Sequence, residues 1–72
     1  MTNERVMSVR ALATLGRNAG LSVEDNGWLV AWWRQYGAFY PTRAQETQAF
    51  RELAEIFAGK RAVLAKLRGA QP

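Results

Sequence analysis

Apolar residues recur at helical spacing in three segments of the chain, and polar or glycine residues separate these segments. The first segment repeats apolar residues every three or four positions, at Val6, Val9, Leu12 and Ala13. Thr2 or Asn3 can cap its start, and Gly20 suits the left-handed position that follows many helix ends. The pattern therefore predicts a first helix over about residues 3–18.

The second helix is predicted over about residues 23–37, after the capping residue Ser22. Asp25 follows three residues later, in a weak form of the capping box. Gly27 costs about 1 kcal/mol relative to alanine inside a helix, so a later start at Asp25 or Asn26 is an alternative.

The third helix has the clearest start. Pro41 holds the residue before it in an extended conformation. Thr42, with Gln45 three residues later, forms a capping box. Strong helix formers then continue, and they predict a long helix over about residues 42–68.

Strand patterns are absent from the sequence, so we predict an all-α fold. Two short helices and one long C-terminal helix form a single small domain over residues 1–72. A chain of this length buries only about 60% of the surface that its unfolded form exposes, so such domains often need a partner chain. We therefore expect a helical hairpin or small bundle that pairs as a homodimer.

Six of the eight aromatic residues lie in the stretch GWLVAWWRQYGAFYP, residues 27–41. The six consecutive apolar residues WLVAWW cover the whole circumference of a helix, and a three-helix monomer can cover only part of it. We expect four aromatic side chains to be partly exposed: Trp28, Tyr36, Phe39 and Tyr40. Exposed aromatic and arginine residues are typical of protein interfaces. The predicted partner-binding residues are therefore Trp28, Trp32, Arg34, Tyr36, Phe39 and Tyr40.

The third helix carries a 3-4-3-4-3 pattern that is typical of a helix–helix seam. Its members are Phe50, Leu53, Phe57, Lys60, Leu64 and Leu67. A single lysine at a seam position can fix the register or the oligomeric state. We interpret this pattern as a dimer seam.

The same region also resembles a DNA-binding helix-turn-helix, in the stretch FRELAEIFAGKRAVLAKLR, residues 50–68. The resemblance implies a small transcriptional regulator whose second helix contacts phosphates or base edges. The implied contact residues are Lys60, Arg61, Lys66 and Arg68. However, Gly59 falls one position later than the glycine of that motif, and neither Lys60 nor Arg61 can cap a new helix. The unbroken seam favours one continuous helix instead.

Residues that carry catalysis or bind metals are scarce. The chain has neither cysteine nor histidine, which excludes disulfides and removes the commonest metal ligands and general base. Ser8 and Ser22 have no base to activate them, and Glu52 and Glu55 fit an ordinary solvated helix face. A glycine-rich phosphate loop is also missing from the sequence. We predict a protein that is not an enzyme and that uses neither a cofactor nor a metal.

The net charge is +4, and every charged residue from Lys60 onward is positive. A basic end suits nucleic acid or an acidic protein, but cations also complement the dipole at a helix C-terminus. The longest apolar run, residues 28–33, is far shorter than the roughly 20 residues of a membrane span. We expect a cytoplasmic protein that does not bind membranes.

In size, in its lack of catalytic groups and in the stretch WWRQYGAFYP, the chain resembles the short helical proteins that bacteriophages encode to disable host proteins. The resemblance implies an inhibitor or modulator of another protein, such as a transcriptional regulator, a motor ATPase or a defence complex. Proteins of that class commonly work by occlusion, because they cover a functional surface of the partner.

Overall fold

Three α-helices make up the computed structural model, which describes residues 6–70. They are α1 (Val9–Asn18), α2 (Val23–Tyr36) and α3 (Arg43–Ala70). The predicted all-α fold, with two short helices and one long C-terminal helix, is confirmed. The molecule measures 55 × 18 × 18 Å, because a helix of 28 residues alone spans about 42 Å.

The first helix begins at Val9 rather than near residue 3. The Ser8 hydroxyl caps α1 by accepting a hydrogen bond of 3.1 Å from the backbone N–H of Ala11. Val6 and Met7 precede the helix, because the backbone N–H of Met7 donates to Glu46 of α3 at 3.0 Å and so directs the chain away from the α1 axis. The alternative caps at positions 2 and 3 lie outside the described residues.

The other two helices begin at the serine and threonine that the sequence offers as caps. Ser22 accepts from the N–H of Asp25 at 3.1 Å, and α2 starts directly after it rather than at the later alternatives. Thr42 accepts from the N–H of Gln45 at 3.2 Å, and its hydroxyl donates to the side chain of Gln45 at 3.0 Å. Local capping chemistry therefore sets where both helices start.

A glycine turn folds α2 back against α1. Gly20 has φ +100°, a left-handed value that glycine adopts without steric cost. Two hydrogen bonds, from Gly20 to the Arg17 carbonyl at 3.0 Å and from Leu21 to the Gly16 carbonyl at 3.2 Å, close the end of α1 as a Schellman motif. The next helix therefore starts beside the last turn of α1.

The two short helices approach each other closely at Gly16. The Asn26 side-chain amide donates to the Ala13 carbonyl at 2.8 Å. A Cβ atom on Gly16 would lie only 1.9 Å from the Asn26 Oδ1 atom. A larger residue at position 16 would therefore displace the Asn26 side chain and break its hydrogen bond to the Ala13 carbonyl.

Helix α3 continues without interruption through Gly59. Residues 50–68 therefore contain no turn, and the helix-turn-helix interpretation of this segment is wrong. The helical phase is kept across Gly59, as the seam pattern requires.

The core combines residues from all three helices and from the segments between them. Phe50 is fully buried, and the Trp33 ring meets it edge-on at 5.3 Å. Tyr40 stacks on the other side of Trp33 at 6.0 Å, with the two rings nearly parallel. The buried apolar residues are Met7, Leu12, Leu21, Leu29, Val30, Trp33, Phe50 and Ala54.

One acidic side chain lies inside this apolar core. Glu46 is in the first turn of α3 and is only 1% exposed. Its Oε1 atom accepts from the backbone N–H of Met7 at 3.0 Å, and its Oε2 atom accepts from the Trp33 indole N–H at 2.7 Å. The glutamate therefore joins the segment before α1, helix α2 and helix α3.

We predict that Glu46→Leu destabilises the protein strongly. The substitution leaves two buried N–H donors without an acceptor, at about 1–3 kcal/mol each. We expect a loss of about 3 kcal/mol, or roughly 10–20 °C in melting temperature for a domain of this size. Urea denaturation followed by circular dichroism measures the change. The exposed Glu52→Leu is the matched control and should change stability by at most about 0.5 kcal/mol. Equal midpoints for the two variants would contradict the role of Glu46.

Alanine substitutions at two glycines should have opposite effects on stability. Gly59→Ala meets open space in a continuous helix, so we expect stabilisation by about 0.5–1 kcal/mol. Gly16→Ala displaces the Asn26 side chain and breaks its hydrogen bond to the Ala13 carbonyl, so we expect destabilisation by about 1–3 kcal/mol. The same denaturation experiment compares them. A destabilising Gly59→Ala would mean that α3 is interrupted at this glycine.

Candidate functional site

Helix α2 divides its tryptophans between the core and the surface. Trp33 is 4% exposed, whereas Trp28, Trp32 and Tyr36 are 59%, 38% and 66% exposed. These three outward residues are spaced by four, so they follow one another along one side of the helix. Ile56 of α3, 57% exposed, lines the same groove as the two outer tryptophans. We call Trp28, Trp32, Tyr36 and Ile56 the aromatic surface.

Contacts with neighbouring rings hold the aromatic surface in place. The Trp28 ring meets Phe57 of α3 edge-on at 5.7 Å. Trp32 and Tyr36 lie 6.0 Å apart with tilted rings. Trp28, Trp32 and Ile56 border a shallow groove of about 280 Å³ between α2 and α3, whose other lining residues are Leu29, Leu53, Phe57 and Lys60. The Trp28 ring is thus held by its contact with α3, and the Trp32 ring by its contact with Tyr36.

An ion pair fixes the start of α2 against α3. The Arg61 guanidinium makes two contacts with the Asp25 carboxylate, Nε to Oδ2 at 3.1 Å and Nη2 to Oδ1 at 3.2 Å. It also lies 5.4 Å from the centre of the Phe57 ring. Arg61, one of the residues proposed to contact nucleic acid, is therefore engaged within the molecule. The other three, Lys60, Lys66 and Arg68, are exposed on α3.

The six residues predicted to bind a partner do not form one surface. Three of them lie together on the aromatic surface. Arg34 instead lines a groove between α1 and α2, because it is two residues away from both Trp32 and Tyr36 and so lies on another side of the helix. Tyr40 is half-buried against Trp33. Phe39 is 54% exposed in the connection between α2 and α3.

The predicted dimer seam is divided between the core and the surface. Phe50 is fully buried under Trp33, and Leu53 and Phe57 are partly buried against the core, so this half packs within the chain. The assignment of Phe50 to a dimer seam is therefore wrong, because α2 supplies the aromatic side chains that cover it. Leu64 and Leu67 are 44% and 57% exposed. These two residues, with Lys60, form the uncovered half.

Past Arg61, α3 has no covering helix. Every residue from 62 to 69 is exposed, and α2 starts level with Arg61 through its contact with Asp25. We call residues 62–69 the arm. Its exposed apolar residues are Val63, Leu64 and Leu67, and its basic residues are Lys66 and Arg68.

Of the predicted site residues, Arg34 alone lines the face that α1 and α2 share. The structure has a groove of about 820 Å³ there. A signal for it was present in the sequence, since Val23, Gly27, Val30 and Arg34 recur every three or four residues along α2. The aromatic residues between these positions obscure this pattern, because they make α2 apolar on all sides.

The described residues offer few other kinds of site. Between residues 6 and 70, no cluster of three or more acidic, histidine or cysteine side chains is placed to bind a metal ion. None of the helices in this part of the chain combines the length and the apolar character required to cross a membrane. No protein-family model, curated protein or solved structure matches the chain.

Proposed function

We propose that this protein is a small, non-catalytic cytoplasmic module that binds another protein through the aromatic surface and modulates it by covering a functional site. The observation that carries the proposal is that the core is filled by Trp33 and Phe50, while two further tryptophans and a tyrosine point outward. At about 150–250 Å² for each aromatic side chain, their exposed fractions amount to roughly 250–400 Å². Contiguous apolar patches of this size are often functional.

The charges around the aromatic surface favour a protein partner over nucleic acid. Single-stranded nucleic acids also stack on aromatic side chains, but they need a basic groove that follows the phosphates. Here Ile56 has Glu52 one turn before it and Lys60 one turn after it, and Glu24 precedes Trp28 by one turn. This mixed charge suits the polar rim of a protein interface. An inhibitor that occludes a regulator, a motor ATPase or a defence complex, as bacteriophages use, fits this description.

We predict that Tyr36→Ala removes partner binding and leaves the fold intact. Tyr36 is largely exposed, and truncation of a hot-spot residue costs about 2 kcal/mol or more, roughly thirtyfold in affinity. The immobilised protein first captures the partner from a lysate of the source cell, and calorimetry with the purified partner then measures affinity. Tyr40→Ala is a poor test, because Tyr40 stacks on Trp33 and its loss weakens the core.

The substitution Lys66→Ala is the control. It removes one exposed charge of the arm and should change the affinity less than about twofold. Binding that collapses in this control but survives Tyr36→Ala would overturn the proposal. Capture of nuclease-sensitive DNA, with an affinity that falls steeply as salt rises, would identify nucleic acid as the ligand instead.

The arm suggests that two copies of the protein pair. Its apolar residues are uncovered, and they continue the stripe that begins at Ile56. In an antiparallel pair that places Ile56 of one copy opposite Leu67 of the other, Glu55 lies opposite Arg68. A carboxylate then faces a guanidinium group at each end of the contact. We propose this antiparallel arrangement for the homodimer. This contact takes Ile56 from the aromatic surface and does not involve Tyr36 on α2.

The dimer should have twice the 8.1 kDa mass of the chain in sedimentation equilibrium at micromolar concentration. Leu67→Glu places a charge in the proposed contact and should yield a monomer, whereas Tyr36→Ala should not. Glu55→Arg should weaken the dimer, and the double change Glu55→Arg with Arg68→Glu should restore it. A wild-type monomer at these concentrations would contradict dimerisation, and failure of the double change to restore pairing would contradict the antiparallel register.

A further inference from the structure

A second groove lies between α1 and α2, away from the aromatic surface. It measures about 820 Å³, and it is lined by Val9, Ala13, Arg17, Leu21, Val23, Asn26, Gly27, Val30, Ala31, Arg34 and Gln35. Trp28, Trp32, Tyr36 and Ile56 are not among these residues, so the two surfaces can be tested separately. The groove follows the length of both short helices, with Arg17 and Val23 at one end and Val9 and Gln35 at the other.

The lining is mostly apolar, with small residues in the middle of the groove and exposed valines at its ends. Ala13, Gly27 and Ala31 carry little or no side chain, and a Cβ atom added to Gly27 would meet nothing within 4 Å. Val9 and Val23 are 49% and 89% exposed at the two ends. Small residues allow the backbone of an incoming element to come close, and exposed valines give it apolar contacts on either side. This shape suits an α-helix that lies along the groove.

Both charged residues of the groove are arginines. Arg17 comes from α1 and Arg34 from α2. Within residues 6–70, Arg61 and Asp25 form the ion pair of the structure. Neither groove arginine therefore has a carboxylate partner in this part of the chain. An incoming helix with acidic flanks would supply these partners.

The two arginines lie at opposite ends of the groove. Arg17 follows Gly16, which packs against Asn26, and Arg34 is eight residues beyond Asn26 on α2. At 1.5 Å per residue, this places the two positions about 12 Å apart along the helix. Carboxylates seven or eight residues apart on a partner helix, about two turns, would match that spacing.

We propose that the α1–α2 groove binds an amphipathic helix of another protein, in which an apolar stripe is flanked by carboxylates about two turns apart. A second copy of this chain does not fit, because the uncovered helix that it offers, the arm, is basic at Lys66 and Arg68. The proposal does not depend on the aromatic surface. It gives the protein two separate surfaces for binding other proteins.

The test uses two fluorescein-labelled helical peptides with the same leucine and alanine stripe. One peptide carries glutamates on both flanks, and the other carries lysines at the same positions. Fluorescence anisotropy with the whole chain should show that the glutamate peptide binds about tenfold more tightly. In the double variant Arg17→Glu with Arg34→Glu, the preference should reverse. Equal affinities for the two peptides, or no binding of the glutamate peptide up to about 1 mM, would overturn the proposal.

A second variant tests the groove itself. Gly27→Leu adds a side chain in the middle of the groove, where the Cβ atom meets nothing within 4 Å, and should weaken binding of the glutamate peptide at least about tenfold. Gly69→Leu is the matched control, since it also replaces a helical glycine that has open space around it, and it should have no effect. Tyr36→Ala should also leave peptide binding unchanged. Peptide binding that survives Gly27→Leu but is lost with Tyr36→Ala would assign it to the aromatic surface and reject the groove.

Discussion

Two hydrogen bonds accepted by the Glu46 carboxyl group hold the three helices in register. A buried polar group is costly unless it is paired, and here both oxygens are paired, one with the backbone before α1 and one with the Trp33 indole. Trp33 in turn lies between Phe50 and Tyr40, so the direction of these hydrogen bonds fixes the orientation of the largest ring in the core. With Trp33 turned inward, Trp28 and Trp32, which are not one turn away from it, are the exposed tryptophans of α2. The position of Glu46 therefore helps to decide which tryptophan is buried.

The helices themselves could be predicted from local chemistry. Ser22, Thr42 and Gly20 act within a few residues of their own positions, as capping residues and a left-handed glycine do in any context. The continuity of α3 was likewise predictable, because the seam keeps its phase across Gly59. The start of α1 was predicted less well. A tertiary contact to Glu46 draws Met7 away from the helix, and the residues around Met7 carry no sign of that contact.

The distribution of side chains between core, aromatic surface and grooves depended on tertiary structure. The seam pattern alone could not show that α2, rather than a second chain, covers Phe50. The same pattern extended four residues toward the N-terminus reaches Glu46, so the buried position was present in the periodicity, but its acidic residue is typical of a surface. Arg34 is close to the aromatic residues in sequence and yet faces α1. Proximity along a helix does not indicate a shared face, and only the spacing of three or four residues does.

Because no helix covers the arm, its sequence can change during evolution at little cost in stability. Residues 62–69 are all exposed and contribute little to the core, so most substitutions there leave the free energy of unfolding nearly unchanged. Substitutions that change what the arm binds therefore need not destabilise the fold. Substitutions of the residues around Glu46 are less easily tolerated, because each of these residues packs against several others in the core. One end of α3 is thus constrained by the packing of the core, whereas the sequence at the other end can change without loss of the fold.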